Sequence, residues 1–276
     1  MEIFDASRFT NKFSLGQAFA MCHGSEISYK DPELYVNHAK DLWGFKSVVP
    51  YDTDGTQALL CSKQGLNCLF FRGTDFQSLD DIKTDIQAYQ VSPKEMTGEV
   101  HGGFYNAFRK LWWRIQGDLK CAKQNSPGSR LYIAGHSLGG ALATLCAAML
   151  AKEGQRVDGL YTFGCPRVGD SDFVQWLGGL LKGRHYRVVN NCDIVTRWPK
   201  RMMGYSHGGE FHYLSDSGQH YMDPSKWWVF ADQSVARFMD IGTLGLEDIK
   251  DHKLRGSGSD LGYLDILERL EYNAKR

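Results

Sequence analysis

The chain has 276 residues, of which 42% are hydrophobic and 23% charged, a composition that supports a sizeable core and excludes a disordered chain. Its 32 basic residues balance 32 acidic ones, so no charge excess points to nucleic acid or an anionic membrane as a partner. Met1 to Phe9 show neither the basic nor the apolar region of a signal peptide, and no apolar run reaches the length of a membrane span. A cytoplasmic location is therefore the default expectation, one that a leader trimmed from the sequence would reverse. Seven cysteines, at 22, 61, 68, 121, 146, 165 and 192, contain no C-x-x-C pair. Most lie in apolar segments and read as small buried hydrophobes.

Residues 7–22 carry Phe9, Phe13, Ala18 and Phe19 around Leu15 in a helix-like pattern. Asp31-Pro32 opens a second helix, with Leu34, Tyr35, His38 and Leu42 at helical spacing and Gly44 at its end. Residues 57–62 and 66–71 read as two strands of a hairpin around Lys63-Gln64-Gly65. The second strand runs into Arg72-Gly73-Thr74-Asp75. A strand ending in Gly-Thr can aim backbone N–H groups above the sheet edge, which makes Thr74 a candidate oxyanion donor; the plain alternative is a strand-end turn. Ser78-Leu79-Asp80-Asp81 resembles a capping box, and Leu79, Ile82, Ile86 and Tyr89 form one apolar stripe on a short helix. That helix is either a lid over the site or a surface helix packed permanently on the core.

Ser92-Pro93 breaks the chain. His101-Gly102-Gly103-Phe104 then opens a long amphipathic helix to about Ala122, with Phe104, Phe108, Leu111, Trp112, Ile115 and Leu119 on one face. After Asn125-Ser126-Pro127-Gly128 comes a short buried strand, Leu131 to Ala134, then Gly135-His136-Ser137-Leu138-Gly139-Gly140, then an almost wholly apolar helix to Ala151. A serine on a sharp strand-to-helix turn is a nucleophile elbow. Glycines two residues either side leave room where strand and helix crowd. The helix N-terminus beneath Ser137 offers unpaired N–H groups to a developing oxyanion. Residues 158–164 form the next strand, 171–181 a helix, and Tyr186 to Asn190 a further strand. This alternation reads as an α/β, doubly wound, mostly parallel sheet in a single domain spanning residues 1–276.

A serine nucleophile needs a base, and the base needs a carboxylate that fixes its tautomer. Asp193 follows the 186–190 strand at the edge where sites in open α/β sheets lie; Asp170, Asp172 and Asp223 are its rivals. Four histidines follow it. His252 precedes the last helix, in a loop that can return over the sheet edge, and is the candidate base, with His207 as main rival. His207, His212 and His220 have spacings that make a poor metal set.

Together these residues resemble the class 3, fungal-type lipase family of α/β-hydrolases. The resemblance runs from about Gln57 to His252. It rests on Phe71-Arg-Gly-Thr, His101-Gly-Gly-Phe, Gly135-His-Ser-Leu-Gly-Gly, Phe163-Gly-Cys-Pro-Arg-Val-Gly, Asn191-Cys-Asp-Ile-Val, Gly204-Tyr-Ser-His and Asp251-His252. It implies an α/β-hydrolase fold, a triad of Ser137, Asp193 and His252, and oxyanion donors at Leu138 and Thr74. It also implies a structural role for His207, no metal and no organic cofactor. Two departures stand out. The family places an aromatic shortly after its last histidine, whereas Lys253 to Gly262 is polar and Gly-rich, with Tyr263 only later. The lid segment lacks tryptophan and carries Asp80, Asp81, Lys83 and Asp85, leaving lipid and soluble esters both open. The expected protein is thus a serine carboxylic-ester hydrolase acting on acylglycerol or other lipid esters, which can lie at a lipid–water interface. Alternatives are a non-lipid carboxylesterase, a phospholipase A1-type enzyme, and a catalytically silent binding scaffold.

Overall fold

The computed structural model describes residues 3–73, 89–239, 251–256 and 261–275. Its strands are β1 (Ser47–Thr53), β2 (Thr56–Lys63), β3 (Leu66–Phe71), β4 (Gln90–Val91), β5 (Val100–His101), β6 (Arg130–His136), β7 (Gly159–Phe163), β8 (His185–Asn190), β9 (Glu210–Leu214) and β10 (His220–Met222). Eight of them form one sheet in the order β1-β2-β3-β6-β7-β8-β9-β10, while β4 and β5 pair separately. The run β3-β6-β7-β8-β9 is parallel; β1 and β2 extend it antiparallel at one edge and β10 at the other.

Side chains alternate across this sheet with the period of two that a strand imposes. Leu69 and Phe71 of β3 and Leu131 and Ile133 of β6 join one core. That core also holds Phe108 and Leu111 of the long helix Gly102–Asn125, Leu142 and Leu145 of the elbow helix Leu138–Lys152, and Phe173 of Ser171–Leu181. Cys68, Phe70, Tyr132 and Ala134 join the opposite core, against Met21 of the first helix, Leu15–Ile27, and Leu267 of the last, Tyr263–Asn273. With helices on both faces, β3 and β7 are buried at every position. The expected architecture is therefore the observed one.

Local chemistry sets the boundaries. The first helix starts later than the apolar pattern suggests, because Ser14 is its cap and accepts a hydrogen bond from the Gln17 N–H at 3.2 Å. Asp31 caps the second helix, with Pro32 at its first position, as expected. Two edge strands escape the pattern. β1 contains Pro50, which a central strand would not tolerate but an edge strand does, and β10 has only three residues. The helix Lys226–Met239 is also invisible to a search for buried stripes, since Trp227 and Phe230 face solvent. Cysteine burial is as expected with one exception: Cys121 is exposed; none of the seven forms a disulfide. The proposed lid lies outside the described residues, apart from Tyr89, whose carbonyl accepts from the Gly102 N–H at 2.9 Å.

β3 and the elbow helix approach each other backbone to backbone. A Cβ on Gly139 would lie 2.2 Å from the Phe71 carbonyl oxygen and 2.8 Å from the Arg72 carbonyl carbon. Gly117, in the long helix, has open space at the same position. Gly139→Ala should cost about 1–3 kcal/mol or more through overpacking, whereas Gly117→Ala should gain about 0.5–1 kcal/mol of helix stability. Thermal unfolding of the two variants checks the opposite signs.

Candidate active site

β6 delivers Ser137 to the C-terminal edge of the parallel strands. Ser137 has φ 57° and ψ −131°, a region that non-glycine residues rarely occupy. The surrounding backbone holds it there. Its N–H donates to the Phe163 carbonyl at 2.9 Å, and its carbonyl accepts from the Gly140 N–H at 2.9 Å. A Cβ on Gly135 would sit 2.2 Å from both the carbonyl carbon and oxygen of Gly139, so strand and helix meet backbone to backbone. The exit of β3 passes close above: a Cβ on Gly73 would lie 3.2 Å from the Ser137 Cβ. Leu138 is the first residue of the elbow helix, where the leading N–H groups have no partner within the helix.

The Asn190–Asp193 turn after β8 presents the carboxylate. The Asp193 N–H donates to the Asn190 carbonyl at 2.9 Å, the Thr196 hydroxyl donates to the Asp193 carbonyl at 2.8 Å, and the Val195 N–H donates to Asp193 Oδ1 at 2.9 Å. His252 Nδ1 lies 3.0 and 2.9 Å from the two carboxylate oxygens. An ionised carboxylate only accepts, so Nδ1 carries the proton and Nε2 is left basic in the neutral ring. Ser137, Asp193 and His252 are each 1% exposed. Ser137 Oγ and His252 Nε2 are both buried without a hydrogen-bond partner. The serine–imidazole bond is thus open in this state, as is common before substrate arrives.

Several residues around this pair were not singled out from the sequence. Gly164, at φ +57°, leaves the space the pair occupies: a Cβ there would meet Asp193 Oδ2 at 2.7 Å and His252 Nδ1 at 2.8 Å. The Tyr263 hydroxyl donates to Asp193 Oδ2 at 2.6 Å. Burial and the adjacent carboxylate raise the Tyr263 pKa far above the ordinary phenol value, so it stays a donor. The aromatic expected soon after the last histidine is therefore supplied from further along, by the first turn of the last helix. Behind His252 stands His136, its ring 4.5 Å away and tilted 30°. His136 Nε2 lies 2.7 Å from the His252 carbonyl, to which it must donate. Burial, then the neighbouring His252, lower the His136 pKa well below the usual value. The ring is neutral, and its Nδ1 accepts from the Tyr29 hydroxyl at 2.9 Å.

The His252 loop is stitched down on both sides. Asn190 Nδ2 donates to the Asp251 carbonyl at 3.0 Å, and the Cys192 N–H donates to Asp251 Oδ2 at 3.0 Å. The N–H groups of Tyr263 and Leu264 donate to the Lys253 and Leu254 carbonyls at 3.1 and 2.8 Å. The Asn190 contact carries no local sequence signal; only its place at the end of β8, beside Asp193, could have pointed to it.

The other candidates are placed as follows. Thr74 lies outside the described residues, which end at Gly73 on that strand exit. His207 does not approach the Asp193 carboxylate; its Nε2 donates to the Thr196 carbonyl at 2.6 Å. His212 and His220 pair with each other at 2.9 Å and stack on Phe13. Among the described residues no group of three or more His, Cys, Asp or Glu could hold a metal. A groove of about 770 Å³ lined by Lys46, Gly65 and Gly128 opens at the opposite end of the strands and takes no part in this site.

Residues 68–203 match the family described as Lipase (class 3). That span, just under half of the chain, resembles a class 3 lipase. The chain is 36% identical over 149 residues to secreted mono- and diacylglycerol lipase 1 of Fusarium solani, covering 54% of this chain and 44% of that one. It is 32% identical over 185 residues to secreted mono- and diacylglycerol lipase A of Penicillium cyclopium, covering 67% and 59%. The chain spans about half the length of these curated relatives. A solved triacylglycerol lipase structure superposes with a TM-score of 0.71 at 22% identity, over 89% of this chain and 96% of that one. That likeness establishes the α/β-hydrolase fold. These relatives also correct one expectation: the cytoplasmic default does not stand, because the class 3 lipase relatives of Fusarium solani, Malassezia globosa and Penicillium cyclopium are named as secreted proteins.

Burial keeps a group of histidines neutral in the folded state. His101 is lowered to about 4, His185 and His212 to about 3, and His136 and His207 well below the usual value, in each case chiefly by desolvation. In the unfolded chain these rings bind protons below about pH 6.5. The unfolded state therefore takes up more protons, and their contribution to stability, complete above pH 6.5, drains away as pH falls toward 4. Calorimetry across that window should show a steadily falling melting temperature, and His207→Ala should make the fall shallower.

Proposed function

We propose that this chain is a serine hydrolase that cleaves acylglycerol and related lipid esters through an acyl-enzyme on Ser137. The observation that carries this reading is the Asp193–His252 pair, buried at the same strand edge as a serine held at φ 57° with a free Oγ. In this scheme Ser137 Oγ attacks the ester carbonyl carbon as its proton passes to His252 Nε2. Asp193 holds the Nδ1–H and stabilises the imidazolium. The oxyanion is met by the Leu138 N–H at the helix N-terminus and by Thr74, the donor carried over from the family pattern. The protonated imidazole then gives its proton to the leaving alcohol. Water, deprotonated by the same nitrogen, attacks the acyl-enzyme and releases the acid and the free serine.

The names of the Fusarium and Penicillium relatives support mono- and diacylglycerols as substrates and an extracellular place of action. Both cores share one sheet, which supports a single domain over residues 1–276. A fluorophosphonate probe should label Ser137 stoichiometrically. Ser137→Ala and His252→Ala should each lose on the order of 10³-fold or more in kcat with folding intact, because the two act as a unit. Well-folded protein that takes no label, or normal turnover in purified Ser137→Ala, would overturn the reading in favour of a silent scaffold. A panel of short nitrophenyl esters, mono-, di- and triglycerides and phospholipid reads the substrate class.

Tyr263 acts in this scheme as a positioning residue, through Asp193. Removing a hydrogen bond to a charged group costs about 1.5–3 kcal/mol. Tyr263→Phe should lower kcat by on the order of tenfold or more and leave KM unchanged. A purely structural role would instead lower the melting temperature and spare kcat.

A further inference from the structure

Beneath Gly164 and Cys165, on the elbow-helix side of the sheet, lies a small cavity of about 20 Å³. Its floor is built by sheet register. Thr162 of β7 lies opposite Arg187 of β8, and His185 sits two residues before Arg187 on the same strand face. Thr162 and His185 are 0% and 8% exposed. Thr162 Oγ1, His185 Nε2 and Arg187 Nε are all buried, and none has a hydrogen-bond partner. Cys165, His207, Thr144 and Ser206 line part of the remaining wall, with apolar side chains such as Val168 and Phe173. Three unpartnered polar groups around one hole are rare in a folded interior, where each unmade bond costs about 1–3 kcal/mol. The volume exceeds the roughly 10–15 Å³ that a single water-sized particle needs.

The chemistry of the wall selects the particle. Arg187 Nε is an obligate donor, the Thr162 hydroxyl can donate, and a neutral His185 can place its hydrogen on Nε2. Arg187 forms no ion pair with a carboxylate among the described residues; its guanidinium lies instead over the Phe211 ring at 4.4 Å. Arg167 adds positive potential at His207, and His207 itself is neutral. A water here could accept from Arg187 Nε and donate to the Thr162 hydroxyl, but it would leave the buried guanidinium charge without a counterion. A monatomic anion has only acceptor capacity and also offsets that charge.

We propose that this cavity is a binding site for a monatomic anion, chloride in solutions that contain it, held by Thr162, His185 and Arg187. The site is independent of the ester-hydrolase reading, since it involves neither Ser137 nor His252. It stabilises the β7–β8 strand ends that carry Gly164 and, beyond Asn190, Asp193.

Crystals soaked in sodium bromide should show an anomalous peak in the cavity. The melting temperature should rise with sodium chloride or bromide above its value in sodium gluconate at equal ionic strength, following the mass-action law for a ligand of the native state. Thr162→Val, nearly equal in volume, should abolish the bromide peak and flatten the halide dependence; Arg187→Met should do the same if it folds. Electron density that refines as water with no bromide peak, or a halide increment that survives unchanged in Thr162→Val, would overturn the proposal.

Discussion

Everything at the candidate site depends on one backbone collision being avoided. Strand β6 must turn into its helix within a single residue, and that residue carries a side chain. Ser137 takes the strain, of order 1–3 kcal/mol for such a conformation, because its neighbours cannot move. Gly135 lies against Gly139, Gly139 against the Phe71 carbonyl, and Gly73 against the His136 carbonyl. Three backbone segments converge at distances that exclude a Cβ. The resulting edge is rigid, and rigidity is what keeps the serine hydroxyl raised and the first helical N–H groups aimed beside it.

A second layer of constraint brings in groups from far along the chain. Asp193 and His252 are separated by β9, β10 and the Lys226–Met239 helix, yet they meet at 2.9 Å. That helix holds the acid turn as well: Gln233 Nε2 donates to the Asn191 carbonyl at 2.8 Å, and Arg197 donates to Gln233 Oε1 at 3.1 Å. Tyr263 and Val195 saturate the carboxylate from two directions. His136 braces the imidazole from behind through its carbonyl. The carboxylate is thus fixed by hydrogen bonds rather than by a countercharge, which leaves its charge available to the imidazolium that the reaction would create.

How much of this was legible in the sequence follows from how local each feature is. The elbow is legible because its geometry is written in six consecutive residues. The helix Ser171–Leu181 matches its expected bounds because Asp170 caps it through the Phe173 N–H at 2.8 Å. The central strands are legible because burial on both faces leaves continuous apolar runs. β1 is not, because Pro50 marks it as a poor strand and only its edge position forgives that. Nor is the Lys226–Met239 helix, whose exposed aromatics break the inward stripe. Asp193 and His252 could be chosen by their order after the serine, and His252 over His207 by its loop before the last helix and by the family motifs around each. The tertiary contacts agree with that choice: one imidazole faces a carboxylate and the other a carbonyl. Tyr263, His136 and Tyr29 act across distances in sequence that no motif records.

The last helix packs on the first, with Arg8 Nη2 2.6 Å from Glu271 Oε1 and Leu267 in the same core as Met21. This contact joins segments more than 240 residues apart, and the later helix supplies Tyr263 and pins the His252 loop. Contacts between such remote segments are slow to form, because loop closure precedes any gain from them. During synthesis the sheet and the elbow can be complete while His252, its loop and the phenol on Asp193 still await the Tyr263–Asn273 helix. The strained serine turn is therefore built early and stays without the imidazole until these two helices have met, so a chain clipped before Tyr263 would carry the strained serine without its proposed partners.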